Sequence, residues 1–421
     1  MPERDVRPTA KGTIISAAII GNALEFYDFL SFAFFAVQIG RAFFPSTSPQ
    51  ASLLSSLAVF GVGFFTRPLG GFVLGMLGDR KGRKPAMLLS FSMMGFAILG
   101  VALTPSYRTI GLAAPVLVVL FRLIQGFALG GEFGPTTAYL IEIAPPERRG
   151  LYTSLQYASQ DFAVLCAGLI GVVTSSLLDS ASLESWGWRI PFLIGAAILP
   201  IGLLLRARLP ETLEHHAAKD DQPTPPMPLR LALIGIVLLS CGTVCGYVLF
   251  YMATYATATL HMPTNVAFGS LVVGTLCGVI LEPVSGWLSD RFGRRPIAFL
   301  SWTLLLVAVF PIFILVTHFR TPATLFLCTA MLGSFLVLGN APILTSLGES
   351  FPKHLRSGLL AIIYAGAVSV FGGTTQFVVA WLISVTGNPL VPAWYMAVAV
   401  LIGLACMALL SETAPSRTKS T

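Results

Sequence analysis

The sequence predicts an all-α polytopic membrane protein, with twelve transmembrane helices in two six-helix pseudo-symmetric bundles. Three observations predict it. Only 11% of the 421 residues are charged while 55% are hydrophobic, against roughly 25% charged in a soluble domain. A chain so poor in charge would expose large apolar surface to water, whereas a bilayer accepts an apolar exterior. Apolar runs of about 20 residues, the length that crosses a hydrocarbon core, recur along the whole chain, and a pair of charged loop motifs occurs once in each half.

Taken in order, the predicted spans are 13–40, 52–77, 85–104, 113–142, 151–178, 190–208, 230–260, 265–288, 296–317, 321–348, 357–384 and 392–411. Glycine and proline recur inside them, as membrane helices tolerate. The first eleven residues are polar, with Arg4, Arg7 and Lys11; the apolar run that follows is too long for a signal segment and holds Glu25 and Asp28. It reads as the first span. The long polar segment 209–229 reads as a cytoplasmic linker between an N-terminal bundle, 1–208, and a C-terminal bundle, 230–421.

Charge sets the orientation. Twenty lysines and arginines fall in loops on the side of the termini; the opposite loops receive four, Arg41, Arg108, Arg189 and Arg320. By the positive-inside rule both termini are expected in the cytoplasm. The same distribution accounts for the net charge of +7, so topology explains it better than nucleic-acid binding does. The six cysteines all lie in apolar runs; Cys241 and Cys245, four apart, have helical rather than redox-motif spacing. The five histidines are scattered, and no phosphate-binding loop or hydrolase triad occurs. No metal, no cofactor, no ATP drive and no enzyme are expected.

The halves repeat one another. Gly78-Asp79-Arg80-Lys81-Gly82-Arg83-Lys84-Pro85 follows span two, and Ser289-Asp290-Arg291-Phe292-Gly293-Arg294-Arg295-Pro296 follows span eight. Glu142-Ile143-Ala144-Pro145 with Arg149-Gly150 follows span four, and Glu349-Ser350-Phe351-Pro352 with Arg356 and Gly358 follows span ten. Parallel six-span repeats place a binding site at their interface near the bilayer midplane.

The repeated Asp-Arg-x-Gly-Arg loop resembles the signature of the major facilitator superfamily. Gly21-Asn22-x-x-Glu25-x-x-Asp28-Phe29, Phe60-Gly61, Arg67-Pro68-x-Gly70-Gly71, Arg122-x-x-Gln125-Gly126, Gly130-Gly131-Glu132, Trp186-Gly187-Trp188-Arg189-Ile190-Pro191-Phe192 and Phe371-Gly372-Gly373 resemble its metabolite:proton symporter branch. Gly150-x-Tyr152-Thr153-Ser154-x-Gln156-x-Ala158-Ser159-Gln160 is most similar to the citrate and tricarballylate carriers, with Asp161 standing where a neutral residue is expected. The resemblance implies a monomeric, proton-coupled importer in the bacterial inner membrane. It would carry a small organic anion, a tricarboxylate or dicarboxylate such as citrate, by alternating access. A zwitterion such as betaine or proline, or an aromatic acid such as shikimate, is the alternative substrate; efflux of cationic drugs is disfavoured by two buried arginines.

Charges inside a membrane are costly and mark function by default. They are Glu25, Asp28, Arg67, Arg122, Glu132, Asp161 and Glu282. Apart from Arg230 at the first position of span seven, no lysine or arginine falls within a second-half span, so an anionic substrate would be met from the first half. Arg122, about 14 Å from the outer end of its span, is the leading candidate, because a guanidinium grips a carboxylate through two parallel hydrogen bonds. A permanent internal ion pair is the competing role for Arg122. For Arg67, beside Pro68, Gly70 and Gly71, which allow close helix approach, a structural or gating pair is the favoured reading and direct substrate contact the alternative. Glu25, Asp28, Glu132 and Asp161 are the proton-coupling candidates, with fixed salt bridges as the alternative; Glu282 is expected nearer the cytoplasm, paired with loop arginines. Asn22, Gln125, Gln156 and Gln160 would complete the substrate site from the first half, with Tyr247 and Tyr251 from the Tyr247/Tyr251/Tyr255 ladder of span seven. Asp79, Arg80, Arg83 and Glu142, with Asp290, Arg291, Arg294 and Glu349, would form a cytoplasmic gate, since alternating access needs contacts that form in one state only; topology signalling alone is the alternative.

Overall fold

The computed structural model describes residues 22–23, 26–27, 29–81, 83–131, 133–207 and 229–418. Among them there are helices and no strands, and each predicted span is met by a helix or a broken run of helices. Span one ends in Ala36–Phe43. Span two is Pro49–Phe65 followed by Arg67–Lys81; span three is Arg83–Leu103; span four runs from Ala113–Ala128 to Phe133–Ile143; span five is Arg149–Leu177 and span six Ile190–Ala207. Spans seven to ten are Leu229–Ala258, Thr264–Phe292, Arg294–Phe319 and Pro322–Ser350. Span eleven joins Lys353–Ala367 to Gly373–Thr386 through the widened turn Val368–Gly372, and span twelve is Val391–Met407. Among the described residues, eight of these helices or joined runs are long and apolar enough to cross a membrane by length and composition. Residues 208–228, which hold most of the predicted linker, lie outside the described chain.

Local chemistry sets the ends. Ser48 accepts a hydrogen bond from the Ala51 amide and is followed by Pro49, while Thr321 accepts from Thr324 and is followed by Pro322. Both are side-chain caps with proline in the first turn, where its missing N–H is harmless. Between spans eight and nine Gly293 sits at φ +104°, a conformation open in practice to glycine alone, which explains the glycine of the second charged motif. In span two the helix breaks at Thr66, whose hydroxyl donates across to the Leu123 carbonyl of span four at 2.7 Å.

The buried apolar residues form two clusters, one centred on spans one to six and one on spans seven to twelve, as expected of two bundles. Large apolar side chains on the periphery, among them Phe65, Phe72, Leu177, Val307 and Leu401, are exposed, the arrangement a lipid-facing surface requires. Within the first bundle small residues bring spans two and four backbone to backbone: a Cβ on Gly126 would lie 1.5 Å from the Gly63 carbonyl oxygen, and one on Gly70 would lie 1.7 Å from that of Phe127. The bundles meet in the same way. Span five lies along span eight, where a Cβ on Gly286 would sit 2.4 Å from the Gly150 oxygen; Gly61 of span two abuts Gly373 of span eleven, and Gly134 of span four abuts Ser357. These contacts bring the two bundles together beside a cavity lined from both.

Candidate functional site

The cavity measures about 90 Å³ and lies among spans one, five, seven, eight, nine, ten and eleven. Its polar lining comprises Tyr157, Gln160 and Asp161 from span five, Thr243 and Tyr247 from span seven, Glu282 from span eight, Asn340 from span ten and Tyr364 from span eleven; Phe26, Phe250 and Trp302 add aromatic wall. No lysine, arginine or histidine is among the described residues lining it.

Arg122 stands outside this lining, wholly buried in the first bundle at 0% exposure. Its guanidinium donates to Gln125 Oε1 at 2.8 Å and, at longer range, to the Phe29 and Phe60 carbonyls at 3.4 and 3.3 Å. Three rings surround it, with centroids at 4.0 Å for Phe29, 4.7 Å for Phe32 and 5.1 Å for Phe60. Ring faces attract a cation, the more so once it is desolvated. Gln125 therefore reaches Arg122, three residues away on one helix face. Arg67 shares the Phe29 ring at 4.6 Å and lies as near to Phe64. Among the described residues no carboxylate is within ion-pair distance of either arginine.

Between the arginines and the cavity stands Tyr247. It lines the cavity, packs edge-on against Phe64 with centroids 5.7 Å apart, and is close enough to Arg67 and Arg122 to feel both charges. Tyr364, also in the lining, is close enough to Arg67 to feel its charge and stacks on Phe133. One aromatic layer thus separates two buried cations from the central space.

The remaining sequence-predicted groups divide. Asn22 and Gln156 satisfy one another: Asn22 Nδ2 donates to Ser159 Oγ at 2.7 Å and to the Gln156 carbonyl at 3.2 Å, and Gln156 Nε2 donates to Asn22 Oδ1 at 3.2 Å. They tie span one to span five. Gln160, one turn on, does line the cavity, and among the described residues its amide nitrogen has no hydrogen-bond partner. Tyr251 packs towards Tyr255, whose hydroxyl donates to the Pro389 carbonyl, and is not in the lining. Asp161 reaches the cavity. Glu25, Asp28 and Glu132 lie outside the described residues.

Glu282 departs from expectation. It is not paired with loop arginines but lines the central cavity at 1% exposure, and neither carboxylate oxygen makes a hydrogen bond of ordinary geometry. Span eight is one long helix, so Glu282 lies nearly three turns inward of the loop that begins after Phe292. Tyr157, Tyr364, Trp302 and Thr243 were not legible as site residues, because nothing local separates them from packing residues; Glu282, an acid inside a span, carried the available signal.

Where the charged motifs meet, the second-half copy forms a cross-bundle cluster. Asp290 accepts from the backbone N–H groups of Gly150 at 2.9 Å and Leu151 at 3.0 Å, the first turn of span five. It pairs with Arg294 at 2.6 Å, and Arg294 reaches Glu349 at 3.4 Å. Arg149 of the first bundle approaches Glu349 at 3.8 Å, and Glu142 pairs with Arg356 at 3.5 Å across the interface. Arg291 points away, over Trp287 and Phe292. For Asp79, Arg80 and Arg83 only the helical backbone is described.

A family model described as "Sugar (and other) transporter" matches residues 13–224, and one described as "Major Facilitator Superfamily" matches residues 270–421. A citrate-proton symporter of Salmonella typhi is 38% identical over 93% of this chain and 92% of its own length. The chain belongs to the major facilitator superfamily. A proline/betaine transporter of Escherichia coli is 34% identical over 95% of this chain and 83% of its own. Among solved structures, the xylose transporter of E. coli in a partially occluded inward-open conformation superposes with a TM-score of 0.79 at 17% identity, covering 96% of this chain and 99% of that one; this likeness concerns the fold. As a major facilitator protein the chain is a multi-pass membrane transporter and not an enzyme.

Proposed function

We propose that this major facilitator protein imports a small di- or tricarboxylate, citrate foremost, together with protons across the bacterial inner membrane, as a monomer with both termini in the cytoplasm. The observation that carries the reading is the pair of buried guanidiniums. Arg67 and Arg122 share the Phe29 ring beside the central cavity, with no described carboxylate to neutralise them. Buried cations are expensive unless compensated, and a polycarboxylate entering past Tyr247 would supply that compensation. The likeness to a citrate-proton symporter supports the same substrate class.

In this reading Arg122 and Arg67 bind carboxylates, Gln125 orients Arg122, and Gln160 and Tyr247 offer hydrogen bonds from the cavity wall. Asn22 and Gln156 hold spans one and five in register rather than touching substrate. Glu25, Asp28, Glu132 and Asp161 are the candidate proton carriers. A carboxylate takes up a proton at moderate pH when burial disfavours its charge, and gives it up when a cation draws near. The Asp290–Arg294–Glu349 cluster and the Glu142–Arg356 pair act as the cytoplasmic gate, with the Asp79, Arg80 and Arg83 loop as the repeat-related counterpart.

A second reading rests on the lining itself. Asp161 and Glu282 with Tyr247, Tyr364, Trp302 and Phe250 would suit the quaternary ammonium of a betaine, and a betaine transporter is among the relatives. Uptake of radiolabelled citrate, α-ketoglutarate and glycine betaine into proteoliposomes, with and without an imposed inward proton gradient, separates the two. Gradient-driven uptake of a carboxylate is expected. Betaine uptake with no carboxylate uptake would overturn the first reading in favour of the second, and sodium-driven uptake that survives a protonophore would overturn proton coupling.

A further inference from the structure

The two bundles each place one carboxylate in the central cavity. Asp161 comes from span five and Glu282 from span eight. Their approach is built into the backbone: a Cβ on Gly278 would lie 2.0 Å from Asp161 Oδ2, so the absence of a side chain at Gly278 makes the notch that receives the Asp161 carboxylate. Glu282 follows Gly278 by four residues on the same helix, which puts it on the same face one turn along. The two acids are near enough for their charges to repel. Glu282 is 1% exposed, and among the described residues neither of its oxygens has a hydrogen-bond partner of ordinary geometry.

An ionised carboxylate left unpartnered in a low-dielectric interior is a costly arrangement. The groups facing the pair do little to relieve it. Span five contributes Tyr157 and Gln160, span seven Thr243 and Tyr247, span nine Trp302, span ten Asn340 and span eleven Tyr364, all uncharged as ordinarily found. The arginines stand behind Tyr247 and Tyr364. Span one adds Phe26 to the wall, and its acids Glu25 and Asp28 lie outside the described residues.

We infer that Asp161 and Glu282 are one proton-binding pair shared between the bundles, holding a proton across the contact of spans five and eight while the cavity is closed. This deepens the proton-coupled reading above and rests on it. Two carboxylates in one site cannot both ionise cheaply, so the pair retains one proton. With the proton present the charge is halved and the Gly278 notch can close over Asp161. Loss of the proton leaves two negative charges facing one another across the interface, and their repulsion favours separation of the spans. The proton enters the pair from one face and leaves to the other, with no covalent step and no other reactant. Proton occupancy and bundle closure are thereby the same event, with Glu282 supplying the partner from the second bundle.

The test needs no substrate. A hydrophobic carbodiimide modifies buried carboxyl groups in their protonated form, so the purified wild-type protein in detergent is treated across a pH series and mapped by mass spectrometry. Labelling is expected on Asp161 or Glu282, falling as pH rises and unaffected by sodium. Labelling confined to Glu25, Asp28 or Glu132, or protection by sodium rather than by alkali, would overturn the pair. Proteoliposomes then separate this inference from the substrate reading, with citrate, α-ketoglutarate and glycine betaine as probes. Glu282→Gln is expected to keep exchange of internal for external substrate while losing at least tenfold in gradient-driven accumulation. Undiminished gradient-driven citrate accumulation by Glu282→Gln refutes the pair and leaves carboxylate import standing. Carbodiimide labelling as expected, with glycine betaine the sole substrate carried, leaves the pair standing and refutes carboxylate import.

Discussion

Asp290→Asn tests the cross-bundle latch at the motif-bearing face. Asp290 accepts two backbone N–H groups of span five, from Gly150 at 2.9 Å and Leu151 at 3.0 Å, at the positive end of a 29-residue helix. Asparagine keeps one acceptor oxygen and turns the other position into an N–H donor aimed at a donor. Losing one charged hydrogen bond costs about 1.5–3 kcal/mol, and loss of the negative charge at a helix N-terminus costs about 0.3–2 kcal/mol more. The Asp290–Arg294 pair lies within one bundle, so its loss falls on open and closed arrangements alike and cancels to first order. The closed arrangement should therefore lose about 2–5 kcal/mol relative to the open one, roughly 30- to 5,000-fold in the equilibrium. Spin labels at the exposed positions Arg148 and Arg291 report the separation of spans five and eight by pulsed dipolar spectroscopy in nanodiscs. The long-distance population should grow and transport slow, with substrate affinity changed little. An unaltered distance distribution in a folded variant would refute the latch, and a large loss of affinity at normal turnover would count against a gating role.

Three further outcomes are expected. Arg122→Lys keeps the charge but removes the planar fork, so affinity for the transported carboxylate should fall, and Arg122→Gln should weaken binding by about 1.5–3 kcal/mol, roughly 10- to 150-fold; normal affinity by calorimetry in a folded Arg122→Gln variant moves the role to Arg67. Gly126→Ala would set a Cβ 1.5 Å from the Gly63 carbonyl oxygen, forcing spans two and four apart at about 1–3 kcal/mol or more, so thermal stability in detergent should drop; an unchanged unfolding temperature contradicts the close approach. Glu412 accepts from the Arg294 and Arg295 amides at 2.9 and 3.0 Å, a cap on span nine, and Glu412→Ala should cost about 0.5–2 kcal/mol of stability; unaltered amide exchange at the start of span nine would contradict it.

Much of the architecture is legible in the sequence because the bilayer leaves few choices. A backbone in hydrocarbon must satisfy its own hydrogen bonds, so an apolar run of span length becomes a helix whatever its neighbours do. That is why the run containing Gly40 and Arg41 ends a span, and why the two charged motifs fall at helix ends. Gly70 and Gly71, beside Pro68, were readable as a place of close helix contact, and the Gly70 approach to Phe127 bears this out. Gln125, expected in the substrate site, instead accepts from Arg122 three residues away on the same helix face.

The site was less legible, for a reason visible in particular residues. Gln156 and Gln160 share a helix face, yet one is consumed by Asn22 and the other opens into the cavity. Tyr247 and Tyr251 are one turn apart, yet a single one of them lines it. A turn of helix moves a side chain about 5.4 Å, enough to pass from cavity to packing, and which side of that boundary it falls on depends on the rotation of the helix against its neighbours.

The sequence by itself determined the number and positions of the spans, the twofold repeat, the residues able to carry charge inside the membrane and the family. These are properties of local runs in an apolar solvent. Tertiary structure alone decided which buried charges meet. Phe29, Phe32 and Phe60, from two different spans, close around an arginine on a third, and Glu282, expected near the loops, faces Asp161 across the bundle interface. Burial makes such groupings consequential, because in a medium of low polarisability a charge interacts strongly with whatever the packing puts beside it. Spacing along the chain names the candidates; distance across the chain selects among them.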